Sequence, residues 1–215
     1  ANKQGRIAAD NICGGNSRYH GSQGSSVLKL FGLTAAFTGI NEKTARAAGI
    51  AYDKVVLFPA SHAAYYPGAQ SMVMKVLYEK ESLRLLGAQI VGGDGVDKRI
   101  DVLATAIRAE MTALELTELD LSYAPPYSSA KDPVNMSGFM IEDLESGKVR
   151  QFHLNDVEDL PCDGSATLLD VRTAWEYQRG HLDGFRNIPL DDLREHLDEL
   201  DRGKPVYVNC QTGLR

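Results

Sequence analysis

Apolar residues recur along the chain in three rhythms, and each predicts a different kind of element. At helical spacing, Ile100, Leu103, Ala104 and Ile107 line one side of Val96–Met111. Lys98, Arg99, Asp101 and Arg108 fall on the other, so an amphipathic helix with those charges in solvent is predicted. Asn135–Leu144 reads as another helix, and Asn41–Ala48 as a short one that stops at Gly49. Ala1–Gly14 carries a weaker face (Gln4, Ile7, Ala8, Ile12) ended by Gly14-Gly15, with a glycine-rich loop running on to Gly24. Strand-like runs cover Ser26–Phe31 and Leu33–Thr38; Asp53–Ala60, Ser71–Tyr78 and Leu83–Val91 predict three antiparallel strands. The last two are joined as a hairpin through Glu79-Lys80-Glu81. Thr112–Leu121 is a short helical turn and Tyr123–Pro133 a proline-stiffened loop. The third rhythm is the short, continuous apolar run of a buried strand, found at Leu168–Arg172 and Val206–Val208. Between these regimes lies Glu145–Arg150, charged around Gly147, a natural linker. Two units are therefore predicted: an α+β unit, an antiparallel sheet with helices, to about Gly147, then a partial α/β unit.

Composition narrows the function classes. A chain of 215 residues with no low-complexity run can bury one large core or two small ones. A formal charge of −6 lacks the basic footprint of a nucleic-acid binder. No apolar run approaches the ~20 residues that span a bilayer, so no membrane partner is expected. Cys13, Cys162 and Cys210 are odd in number and too widely spaced for a metal knuckle, a pattern that suits a reducing cytoplasm. The chain begins with neither Met nor a signal-like apolar region, so it is expected to begin within a longer protein.

The candidate chemistry concentrates at the end, in VYVNCQTGLR (Val206–Arg215). The strand delivers Cys210 to a loop, Gln211-Thr212-Gly213-Leu214, that closes on Arg215. Gly213 permits a turn in which successive N–H groups point at the sulfur. Such donors, with a guanidinium nearby, stabilise a sulfur anion, which is the nucleophilic form. On these residues alone, a structural Cys at a strand end is an equal alternative.

Upstream motifs add to this. Leu168–Arg172 ending in DVR, then Trp175-Glu176-Tyr177, then Gly180–Gly184 (GHLDG), then Asn187-Ile188-Pro189, precede the Cys210 loop in that order. Over Leu154–Arg215 the chain resembles a rhodanese (sulfurtransferase) domain, which implies a persulfide on Cys210 and a substrate loop of Gln211, Thr212, Gly213, Leu214 and Arg215. Phosphatases of that fold use a loop one residue longer, so the short loop suits sulfane sulfur. Asp170, Arg172, Glu176 and His181 read as framework. No helix follows the loop, so the domain is expected to be cut short.

Earlier, ANKQGRIAADNI (Ala1–Ile12), TGINEKTARAAGI (Thr38–Ile50), YYPGAQ (Tyr65–Gln70), VDKRIDVLATAI (Val96–Ile107) and YAPPYSSAKDPVN (Tyr123–Asn135) stand in order. Together they resemble the C-terminal part of the flavin-dependent pyridine nucleotide-disulfide oxidoreductases, in the branch of the CoA-disulfide reductases. The resemblance implies FAD, NAD(P)H and coenzyme A. It also implies residues 1–24 as the end of the FAD-binding domain, 25–147 as a dimerisation domain and 148–215 as a rhodanese truncated after its loop. Ala1 and Asn2 would touch the flavin. Tyr65 and Tyr123 match positions that reach across a homodimer to the partner's redox Cys. No G-x-G-x-x-G is present, and that redox Cys is expected outside this chain. Cys13 and Cys162 are bystanders, and Lys131 reads as a solvated loop lysine before a CoA-phosphate partner.

The function these readings imply is reduction of CoA disulfide, CoA persulfide or polysulfide, with sulfane sulfur carried on Cys210. The alternatives are a dimerisation or binding fragment with an inert or sulfur-sensing rhodanese, and an NADH oxidase on the same scaffold. From the residues alone, packing of Tyr65, Tyr66, Tyr123 and Tyr127 at an interface is the plainer account; the resemblance favours the catalytic reading for Tyr65 and Tyr123 only.

Overall fold

The computed structural model describes residues 2–213. The first unit is built on β1 (Ser26–Leu30), β2 (Leu33–Gly39), α2 (Glu42–Ala47), β3 (Tyr52–Leu57), β4 (Met72–Glu79), β5 (Leu85–Gly92), α3 (Val96–Arg108) and α4 (Pro133–Glu145). The strands make one antiparallel sheet in the order β1-β2-β5-β4-β3. Because strand side chains alternate between faces, Met72, Met74, Val76 and Tyr78 of β4 all point into the core. Val73 of the same strand is half-exposed on the other face. Ile90 of β5 lies opposite Met74. Against them pack Val96, Ile100 and Leu103 of α3 and Val134 and Ile141 of α4.

The sequence expectation for α3 fails at one residue. Arg99 does not face solvent; it is 1% exposed. It lies three residues after buried Val96 and four before buried Leu103, so helical geometry puts it on the core face. The charge at that position argued for solvent, but Asp132 meets it inside.

A preceding helix, α1 (Asn2–Ile12), is exposed throughout except at half-buried Ile7, so its apolar face meets no core here.

One ion cluster ties α2 to the sheet. Glu42 accepts from Lys54 at 2.7 Å and from Lys75 at 2.9 Å. Burial alone would raise the Glu42 carboxyl, but the two ammonium groups outweigh it and hold it at about 2. Its contribution to stability is therefore complete above its ordinary 4.5 and disappears as pH falls towards 2. Glu42→Gln should cost about 1–2 kcal/mol at neutral pH, between the values of exposed and buried pairs. Urea midpoints measured from pH 7 to pH 2 should show the variant losing less on acidification than the wild type.

The second unit holds β6 (Thr167–Asp170), α5 (Ala174–Gln178), β7 (Arg186–Asn187) and β8 (Val206–Asn209). Its sheet is parallel, in the order β7-β6-β8. The core is small: Leu169, Val171 and Ile188, with Leu193, Leu200 and Cys210 against them. The sequence predicts β8 to be buried, and it is not: Val206 and Val208 are 43% and 48% exposed. Among the described residues β8 pairs only with β6, so one edge and one face stay open.

The framework reading of the charged motif residues holds. Buried Asp170 accepts from Arg172 Nη2 at 2.7 Å and from Asn209 Nδ2 at 3.3 Å. Thr173 and Glu176 cap α5 reciprocally, and His181 stacks on Tyr177 at 3.8 Å. The units touch where Gln151 Nε2 donates to Lys54 O at 2.7 Å. No helix among the described residues is long and apolar enough to cross a membrane.

Candidate functional site

The candidate residues fall into two constellations, at different cavities. The first pairs Tyr65, on the loop after β3, with Tyr123, on the loop before α4. Although 58 positions apart, their hydroxyls are 3.2 Å from one another. Both side chains are exposed, at 77% and 49%. The hydrogen bond to Tyr65 raises the Tyr123 phenol above its ordinary value, so it stays a proton-bearing donor at neutral pH. Direct stitching brings the loops together: Ala63 N donates to Ser128 O at 3.1 Å. Tyr66 stands edge-on to buried His62 at 5.7 Å. Tyr123, Tyr127, Lys98 and Arg99 share a cavity of about 420 Å³. Lys131 is exposed, with Nζ 5.6 Å from the centre of the Phe139 ring.

Beneath the pair lies a buried network that sequence reasoning did not identify. Arg99 Nη2 donates to Ser61 O at 2.9 Å and Ser128 Oγ at 3.2 Å, and stands 3.1 Å from Asp132 Oδ2. Ser128 Oγ donates to Asp132 at 2.7 Å, while Asp132 Oδ1 caps α4 at Val134 N. Burial opposes ionisation of Asp132, but the Val134 amide, Ser128 and Arg99 together hold its carboxyl below the usual range. The available signal was the pair Asp132-Pro133, a capping residue before a helix-starting proline.

The second constellation is the Cys210 loop. Gly213 has φ of +77°, a conformation strained for any other residue, and its N–H donates to Cys210 Sγ at 2.9 Å. Cys210 is half-buried, Gln211 exposed and Thr212 half-buried. The loop opens on a cavity of about 840 Å³ lined also by Lys54, Phe58 and Lys75 of the first unit and by His153, at the start of the second. Burial, with Lys54 adding, lowers His153, so its imidazole is neutral at pH 7. Leu214 and Arg215, and Ala1 at the other end, lie outside the described residues, so the expected guanidinium of the cradle does too. Asn2 is exposed on the first turn of α1. Cys13 and Cys162 are free and exposed. A wider gap of about 1150 Å³ between α1 and α3 contains neither constellation.

Comparison with known proteins gives these sites a family. Residues 26–133 match the dimerisation domain of the pyridine nucleotide-disulphide oxidoreductases, and residues 153–215 match the rhodanese-like domain. The chain belongs to the pyridine nucleotide-disulphide oxidoreductase family and carries a rhodanese-like region after its dimerisation domain. Among particular relatives, coenzyme A disulfide reductase of Staphylococcus haemolyticus is 40% identical over 145 residues, 67% of this chain and 32% of that protein. The structure of reduced Bacillus anthracis CoADR-RHD is 46% identical with a TM-score of 0.90, covering 99% of this chain and 38% of that one. A NAD-dependent persulfide reductase from A. fulgidus is 41% identical with a TM-score of 0.86, covering 100% of this chain and 38% of that one. The chain thus spans about a third of the length of these relatives.

Proposed function

We propose that this chain works as the C-terminal portion of a flavin-dependent NAD(P)H reductase of CoA disulfide, CoA persulfide or polysulfide, with Cys210 as its sulfane-sulfur carrier. Residues 25–147 join two copies in a homodimer, residues 148–215 act as the rhodanese module, and the protein works in the cytoplasm. The observation that carries this reading is the Gly213 N–H aimed at Cys210 Sγ at 2.9 Å. A turn that presents a donor to a strand-end sulfur stabilises negative charge there. The names of the three relatives support the reductase half.

FAD, when bound, supplies the route by which electrons from NAD(P)H reach a disulfide. Asn2, exposed on the first turn of the 11-residue helix α1, fits a contact with that group, since a helix N-terminus favours negative charge. At the reductive site the phenols of Tyr65 and Tyr123 hydrogen-bond the departing thiolate as the S–S bond breaks, and one gives it a proton. At the other site, Cys210 thiolate attacks the outer sulfur of a donor persulfide. The new bond makes a Cys210 persulfide, the old S–S bond breaks, and the donor leaves as its thiolate. Two electrons and one proton then return the Cys210 persulfide to thiolate and hydrogen sulfide.

The test is anaerobic NADH oxidation by the flavoenzyme containing this chain. NADH loss that depends on CoA disulfide, and sulfide release that depends on CoA persulfide, is the expected result. NADH loss that needs only oxygen would replace this reading with an oxidase.

A further inference from the structure

The paired phenols stand on two exposed loops, and neither side chain is packed tightly enough to hold its own position. Tyr65 is mostly in solvent and Tyr123 about half so, yet their hydroxyls meet at 3.2 Å. Something below them must fix the loop backbones. Among the described residues one direct backbone stitch joins these loops, from Ala63 N to Ser128 O, and a single bond leaves the loops free to pivot about it.

Arg99 supplies the missing restraints. From α3 its guanidinium reaches four places. Nη2 donates to Ser61 O at 2.9 Å, on the Tyr65 loop. It also approaches Tyr127 O at 3.4 Å and Ser128 Oγ at 3.2 Å, on the Tyr123 loop. Nη1 returns to Gly95 O at 3.1 Å, which fixes the plane of the fork against its own helix start. Gly95 is itself required there: it has φ of +69°, and a Cβ on it would come 2.1 Å from Arg99 Nη1. Asp132, 3.1 Å away and 4% exposed, balances the charge, so the fork can stay buried. The preceding residue joins in, with Lys98 Nζ donating to Ser122 O, one residue before Tyr123, at 3.3 Å. A planar fork with donors in fixed directions can hold two backbones at one separation; an ammonium on a flexible stem cannot.

We propose that Arg99 is a positioning residue: it clamps the Tyr65 and Tyr123 loops so that the two phenols stand as one donor pair at the reductive site. This rests on the reading of Tyr65 and Tyr123 given above. Arg99 touches neither phenol and acts through Ser61, Tyr127 and Ser128. A displacement of the pair by about an ångström is enough to slow the chemistry by one to two powers of ten.

The experiment uses the flavoenzyme containing this chain, with Arg99→Lys made in the wild type and in the Tyr65→Phe/Tyr123→Phe background. Lysine keeps a charge for Asp132, so the variant folds, but it loses the fork. Arg99→Met, which takes the buried guanidinium from Asp132 and leaves it only Lys98 at 3.7 Å as an ion-pair partner, serves as the measure of gross destabilisation. In the wild-type background Arg99→Lys is expected to lower kcat for CoA disulfide by about ten- to a hundredfold with KM nearly unchanged. NADH-driven flavin reduction and the thermal midpoint should stay near wild type. In the Phe/Phe background the same substitution should cause no further loss, because the groups it positions are gone.

Equal losses in both backgrounds, or a wild-type kcat, would overturn the clamp while leaving the tyrosine reading intact. A fall in flavin reduction matching the fall in kcat, as Arg99→Met would give, would also overturn it, by showing general damage. A Phe/Phe enzyme with full activity would remove the tyrosine reading and the clamp with it.

Discussion

Cys210→Ser in the flavoenzyme containing this chain should cut sulfide release from CoA persulfide by at least about a thousandfold, with CoA-disulfide reduction within about twofold of wild type. Serine fits the space, and Gly213 can still donate to its oxygen. What it lacks is a sulfur that attacks sulfur, so uptake stops while the loop stays folded. The asymmetry between the substrates follows from the separation of the sites. Cys210 opens on the cavity shared with Lys54, Lys75 and His153, whereas Tyr123 lines a different one. Unchanged sulfide release would make the rhodanese region inert and leave a disulfide reductase alone.

The converse effect is expected of the phenols. Tyr65→Phe/Tyr123→Phe keeps both rings and removes both hydroxyls, so a loss of about 10²–10³ in kcat for CoA disulfide is expected, as for a missing general acid. Either single variant should lose much of that, because each hydroxyl orients the other at 3.2 Å. A pH profile separates this role from packing. The bond to Tyr65 raises the Tyr123 phenol above its ordinary 10.0, so the donor persists further into alkali than a lone tyrosine would. Tyr65→Phe should therefore shift the alkaline limb of kcat to lower pH. Two phenylalanines at full activity with an unchanged profile would reduce the tyrosines to interface packing.

Much of this was legible in the sequence, for physical reasons that vary by element. β4 and β5 were readable because a half-buried strand writes its alternation into Met72, Met74, Val76 and Ala88, Ile90. The Gly213 turn was readable because positive φ leaves few residue choices. At Arg99 periodicity and charge point opposite ways: helical spacing puts it on the core face, its charge in solvent. Its partner Asp132 lies 33 positions away, where no local pattern could show it. The exposure of β8 has a related cause. Apolar content states what a strand can bury against, not whether a neighbour covers Val206 and Val208. The meeting of Tyr65 and Tyr123 depends on two loops crossing, which follows from the family resemblance and from no rhythm in the chain.

The claim at the centre is that Cys210, and neither of the other two cysteines, carries sulfur that NADH can remove. The most direct measurement is the mass of the Cys13, Cys162 and Cys210 peptides from the flavoenzyme. It would be treated anaerobically with polysulfide, alkylated, and analysed before and after addition of NADH. The expected result is one extra sulfur atom on the Cys210 peptide alone, lost when NADH is added. An unmodified Cys210, or extra sulfur on Cys13 or Cys162 that NADH clears instead, would contradict it.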